Sequence, residues 1–259
     1  MSEEKAEYNV SEEELVEDVE NEKLLPLSEH LNELRRLLII SLISVAVAGM
    51  ISYGLFGDRI MDFLTLPLRN LELKLIFTSP FEAFFTQLKA GFFVGFIAVL
   101  PIILWQIWRF ILPALQSNEV KLVALFVPLS LLLFLGGMAF AYFSVFQIAI
   151  KVLLVTIPAE GLEAMIKIDE YFSFLFSFLL PFGITFEMPL IVYVLTKLGV
   201  ITHETLKAKR KIALLAIVVL AAVLTPGPDP LSQILLALPM FLLYEISIVV
   251  ARYSKPKGA

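Results

Sequence analysis

Six apolar runs divide this chain, and their length decides what it can become. They cover residues 37–56, 84–107, 122–146, 172–195, 212–224 and 231–250. A helix needs roughly 20 apolar residues to cross the ~30 Å hydrocarbon core of a bilayer. No water in that core satisfies a free N–H or C=O, so a spanning segment closes its own hydrogen bonds as a helix or joins a closed barrel. Runs this long, without strict alternation, are helices. The expected fold class is an all-α membrane protein of six transmembrane helices. A composition of 59% hydrophobic and 17% charged residues fits that class and no soluble one.

Four of the six runs carry proline: Pro101, Pro128, Pro181 with Pro189, and Pro239. Each removes a helical donor and clashes with the carbonyl four residues back. The expectation is a set of kinked helices forming a concave bundle. The fifth run has only 13 residues, roughly 20 Å of helix. It must extend through its basic flank, be shielded by neighbours, or thin the bilayer.

The net charge of −5 is unevenly spread: residues 1–23 hold ten acids and two lysines, leaving 15 acids and 18 bases elsewhere. This acidic prefix, 1–23, has little to bury and is expected to be a disordered tail. Residues 24–253 form the six-helix domain and 254–259 a short basic tail. Leu27, Leu31, Leu34 and Leu38 make one apolar stripe just before the first span, as on a helix lying at the membrane surface. Lys197, Lys207, Lys209, Arg210 and Lys211 lie between the fourth and fifth runs, and Arg252, Lys255 and Lys257 follow the sixth. The excess of Lys and Arg on this side places both termini in the cytoplasm.

Glu187 is the one acid deep in a run. On insertion scales a charge there costs ~2.5–3.5 kcal/mol, which marks it as functional. Pro189 leaves the Thr185 carbonyl without its helical donor, and a neutral carboxylic acid nearby is able to supply one. Glu187 reads as a partner-binding or proton-handling group, or as a structural tie within a kinked helix. Gln233 and Ser232 open the sixth run after Thr225–Pro230, where Ser232 or Asp229 caps the helix and Gln233 seeks a partner across a helix interface. Glu119, before the third run, reads alone as an acid at a helix start, and Glu33 as a solvated face residue. Together on one cytoplasmic face they suit a ligand with adjacent guanidinium groups.

The chain has no cysteine. No metal constellation, phosphate loop or nucleophile triad stands out, so the expectation is a protein that is not an enzyme, with no cofactor and no nucleic-acid partner. The rival from another class is a proton-coupled small-molecule transporter using Glu187, and a third reading is a scaffold that only assembles other helices. Absence of an internal repeat weighs against the transporter.

Several separated motifs then occur in one order: His30-Leu-Asn-Glu33-Leu-Arg35, Gln106-Ile-Trp108-Arg109-Phe110-Ile-Leu-Pro113-Ala-Leu115, Glu119, Phe140-Ala-Tyr142-Phe143, Phe186-Glu187-Met-Pro189, Leu224-Thr-Pro226 with Asp229 and Ser232-Gln233, and Leu243-Tyr244-Glu245. Across about residues 26–253 the chain resembles the TatC family, the multispanning subunit of the twin-arginine protein translocase. Two departures stand out: Leu37 replaces a usual arginine, and Gly227 lengthens the Thr-Pro-Pro-Asp motif. The resemblance implies a receptor and core subunit that binds signal peptides with paired arginines. It implies export of folded proteins driven by the proton-motive force, in an oligomeric complex with single-span TatA- and TatB-type subunits in the cytoplasmic (inner) membrane. By motif position, Glu33, Glu119, Arg35, Phe110, Pro113 and Leu115 belong to the signal-binding face. Glu187, Gln233, Ser232, Thr225 and Asp229 belong to an intramembrane polar site that docks a partner's helix.

Overall fold

The computed structural model describes residues 12–111, 120–156, 165–225 and 230–254. The chain folds into long helices joined by short connections. Helix α1 (Glu12–Leu64) runs unbroken from the acidic prefix through the leucine stripe into the first span, so residues 12–23, expected in a disordered tail, are helical here. There follow a short α2 (Leu66–Arg69), α3 (Pro80–Ile111) and α4 (Val120–Phe140). The third run continues as π-helical turns at Ala141–Val145 and Val152–Thr156, which flank α5 (Phe146–Lys151). The fourth run is split into α6 (Ile168–Phe186) and α7 (Met188–Lys197). After α8 (His203–Ala208) come α9 (Arg210–Leu224) and α10 (Pro230–Tyr253). Two short strands, β1 (Leu75–Ile76) and β2 (Ile166–Lys167), pair in parallel, Leu75 with Ile166, and tie together the loops at one end of the bundle.

Five helical stretches are long and apolar enough to cross a membrane: Leu34–Arg69, Pro80–Phe110, Leu125–Leu154, Ile168–Lys197 and Pro230–Tyr253. The fifth apolar run forms α9, which is shorter than these five stretches and whose 15 residues include Arg210 and Lys211 from the basic flank. It therefore extends through that flank.

Packing follows a row: α1 on α3, α3 on α4, α4 on α6, α7 on α10, and α10 on α9, leaving α1 and α9 at its ends. The core lies where α4, α6 and the π-helical turns meet. Phe146, Phe172, Phe178 and Phe182 are fully buried there, and their rings meet edge-on or tilted, as Phe146 does on Phe178 at 5.9 Å between centroids.

Helices α3, α4, α6 and α10 continue through Pro101, Pro128, Pro181 and Pro239, whereas α1 ends just before Pro67, where tyrosines take up two freed carbonyls. Pro67 offers no N–H to the Phe63 carbonyl, and the Tyr142 hydroxyl donates to it instead. The Leu68 N–H turns to Thr65, and the Leu64 carbonyl accepts from the Tyr171 hydroxyl at 2.6 Å. Both rings are buried, so each hydroxyl needs such a partner. The end of α1 is thus fastened to the third and fourth spans by its own spare acceptors. Helix α7 stops at Gly199, whose φ of 74° is open to glycine. The Val200 N–H then reaches back to the Leu195 carbonyl at 3.0 Å, a six-to-one closure of the helix end.

Candidate functional site

Glu187 stands at the break between α6 and α7. Pro189 prevents a regular continuation, so the Glu187 N–H bonds to Ile184 in a tighter turn at 3.1 Å, while its carbonyl accepts from Leu190 and Ile191. The Thr185 hydroxyl donates back to Pro181 at 2.6 Å. Lys197 lies ten residues on, a rise of roughly 15 Å. With Lys197 at the interface, Glu187 sits near half the depth of the oil.

The residue is 7% exposed, and the structure gives it a partner that sequence reading did not single out. Ser130, fully buried on α4, lies beside the Glu187 carboxylate. The Trp108 indole on α3 donates to the Ser130 hydroxyl oxygen at 2.7 Å. An indole N–H is a donor only, and a hydroxyl has one hydrogen to give. The direction at Ser130 is therefore set: Trp108 donates to it, and its own hydrogen is left to turn toward the neighbouring Glu187. One short polar chain joins three spans. Close approach makes this possible: a side chain at Gly137 would meet the Phe182 carbonyl at 2.7 Å, and one at Gly183 would meet the Phe134 ring at 2.7 Å. Oε1 of Glu187 has no hydrogen-bond partner among the described residues, which leaves acceptor capacity for a donor from outside the chain. The donor to the Thr185 carbonyl expected from sequence is not Glu187, since the carboxylate turns to α4. A serine two residues after Pro128 in an apolar run was the available signal for Ser130.

The second polar group lies where α9 meets α10. The Gln233 amide donates to the Val218 carbonyl at 3.1 Å, bridging the two helices as its position led one to expect. Thr225 is buried and donates to Ala221 at 2.9 Å, ending α9. Ser232 is buried beside them. Asp229 lies outside the described residues. No bond joins Gln233 to Glu187 among the described residues. At the opposite end of this hairpin Arg210 pairs with Glu245 at 2.5 Å, and the Tyr244 hydroxyl donates to Leu206 at 2.7 Å.

On the expected signal-binding face the backbone of Glu33 is helical within α1, Arg35 is exposed, and Phe110 is half-buried at the end of α3. Pro113, Leu115 and Glu119 lie outside the described residues. On the basic loop, Glu204 pairs with His203 at 2.9 Å. Its carboxyl is held below the usual range, first by a backbone N–H, then by Thr202 and His203, so it stays anionic among Lys207, Lys209 and Lys211. No cluster of His, Cys, Asp or Glu able to hold a metal occurs among the described residues.

This arrangement has close counterparts among known proteins. The family model described as Sec-independent protein translocase protein (TatC) matches residues 29–239. The TatC protein of Carboxydothermus hydrogenoformans is 45% identical over 236 residues, 91% of this chain and 96% of its own length. That of Aquifex aeolicus is 41% identical over 239 residues, 90% of this chain and 97% of its own. The crystal structure of a twin arginine translocase receptor TatC superposes with a TM-score of 0.80 at 40% identity, covering 87% of this chain and 99% of the other. The chain belongs to the TatC family of Sec-independent protein translocase proteins.

Proposed function

We propose that this protein is the receptor and core subunit of a twin-arginine translocase. It binds signal peptides bearing an arginine pair and supports export of folded proteins, driven by the proton-motive force. The observation that carries this reading is the likeness, over nearly all of its length, to the crystal structure of the twin arginine translocase receptor. Conversion of a substrate has no part in it; the protein is a transport subunit, not an enzyme.

The signal's guanidinium groups dock on the carboxylates of Glu33 and Glu119, bordered by Arg35, Phe110, Pro113 and Leu115. Paired carboxylates suit guanidinium forks better than point-like ammonium groups. That face and both termini lie on the cytoplasmic side of the cytoplasmic (inner) membrane, a reading that the basic residues around α8 and at the end of the chain support. Residues 1–23 form an acidic tail outside the 24–253 bundle, and 254–259 a short basic one. Glu187, Thr225, Asp229, Ser232 and Gln233 receive the membrane helices of single-span TatA- and TatB-type subunits in an oligomeric complex. Glu187 supports this role because its free carboxylate oxygen is buried with no donor in reach among the described residues.

Site-specific crosslinking to a twin-arginine signal peptide tests the receptor. Changing Arg-Arg to Lys-Lys in the peptide, or Glu33→Gln with Glu119→Gln in the protein, is expected to lower capture at least tenfold. Equal capture in both comparisons would remove the site.

A further inference from the structure

We propose that the groove between α1 and the third span holds one anionic phospholipid, in the leaflet opposite the basic loops. The groove encloses about 500 Å³, within the ~300–1,000 Å³ usual for ligand sites. Its floor is α3, with Phe93, Val94 and Ile97; α1 and the α4 end form its two walls. An apolar cavity of this kind stays free of water, so in a bilayer a hydrocarbon chain fills it.

Arg59 sets the head group. It is the one charged residue that lines the groove, and it is exposed. No ion pair or hydrogen bond of its side chain occurs among the described residues. The nearby Asp62 is engaged by Arg69 at 3.4 Å. An arginine stem lies along apolar surface while its guanidinium rises to the interface. There a phosphate diester offers two oxygens to the fork, and a head group without a cation of its own leaves both of them to the guanidinium. The head group is therefore phosphate-bearing with net negative charge, as in phosphatidylglycerol.

The rim argues for a chain and against a protein helix. Phe56, Phe63 and Phe143 stand around it, and the Phe63 and Tyr142 rings stack at 5.1 Å beside the Tyr142 bond to the Phe63 carbonyl. Helices approach each other in membranes over small residues. Gly49, Gly91 and Gly95 are used where α1 crosses α3, a side chain on Gly95 meeting the Gly49 backbone at 2.3 Å, and Ala139 is the one small residue that lines the groove. Bulky, fastened rims admit a flexible acyl chain.

The test is native mass spectrometry of the purified full chain after equilibration with equal amounts of phosphatidylglycerol and phosphatidylcholine of the same acyl chains. The expected result is one retained lipid, with phosphatidylglycerol favoured about tenfold. Arg59→Gln should bring the ratio to within twofold of unity while leaving thermal unfolding unchanged. Ala139→Phe, which fills the groove, should lose both lipids. A photoreactive side chain placed at position 143 should then label lipid. Equal retention of the two lipids by the unaltered protein, an unchanged ratio in Arg59→Gln, or labelling of a protein from position 143 would each overturn the proposal.

Discussion

The two ends of the helix row are held by different means. At one end α1 and α3 meet backbone to backbone: a Cβ on Gly95 would lie 2.3 Å from the Gly49 nitrogen, and one on Gly91 would lie 2.7 Å from Tyr53 Cβ. At the other end α9 buries only Ile217 and Ala221, and its ties to α10 and its own basic flank are polar: Gln233 to Val218, Arg210 to Glu245, Tyr244 to Leu206. Lipid tails are as apolar as leucine, so helices in a bilayer gain little from hiding apolar surface from one another. They associate by close shape or by hydrogen bonds. The first device is rigid and has no second arrangement. The second is local and leaves most of α9 open, with Ile212, Leu215, Val219 and Val223 exposed.

The largest effect is expected at the rigid end. Gly95→Leu asks the α1 backbone to move, and no rotamer change relieves that. The cost should equal or exceed the ~1–3 kcal/mol of ordinary overpacking, read as aggregation or a collapsed melting temperature in fluorescence-detected gel filtration. Gly136→Leu is the control, since nothing lies within 4 Å of the side chain it would gain. If Gly95→Leu melts as Gly136→Leu does, the crossing is not held by shape.

The next effect belongs to the middle of the row. Ser130→Ala leaves the buried Trp108 indole without its acceptor and removes the hydroxyl beside Glu187. Leaving such groups unsatisfied costs about 1–3 kcal/mol. The melting temperature should fall, and Ser130→Thr should restore part of it. An unchanged melt for Ser130→Ala would show that the chain from Trp108 to Glu187 carries no stability.

What could be read from sequence divides along the same physical line. The five long spans were legible because apolar length alone makes a span. Glu187 was legible because a lone acid in oil is expensive. Its partner was not, since a serine in an apolar helix is cheap and bonds readily to its own backbone. The π-helical turns that carry Tyr142 against Phe63 were missed because the apolar pattern of the third run is continuous through them. Pairing of β1 with β2 was missed because two residues make no periodicity. Arg35 and Phe110 drew notice only through motif order, as surface charges and half-buried rings cost too little to mark a site. Arg210 was read as a topological charge, and its pairing with Glu245 appears only when α9 folds back on α10.

That pairing supplies the third effect. Arg210 and Glu245 are both partly exposed, at 43% and 30%, so the link is worth about 1 kcal/mol, the upper end for such pairs. Arg210→Gln should lower the melting temperature by a few degrees, and the exchange Arg210→Glu with Glu245→Arg should recover most of the loss. No recovery in the exchanged protein would assign the effect to the helix end and not to the pair.

The smallest effect sharpens the contrast most. Gln233→Leu removes the amide bridge to Val218, and interhelical hydrogen bonds in membranes average ~0.6 kcal/mol. Global unfolding should barely move. Helix α9 is the short helix at the open end, with two buried side chains, so the lost bond falls on a region of low local stability. Amide exchange along residues 214–224 should therefore rise severalfold, while exchange in α3 around Gly95 stays as it was. Equal change at both ends would mean that the row opens as one unit. A change confined to α9 would mean that this helix alone loosens, with the rest of the fold in place, which is what an edge built to accept a partner's helix requires.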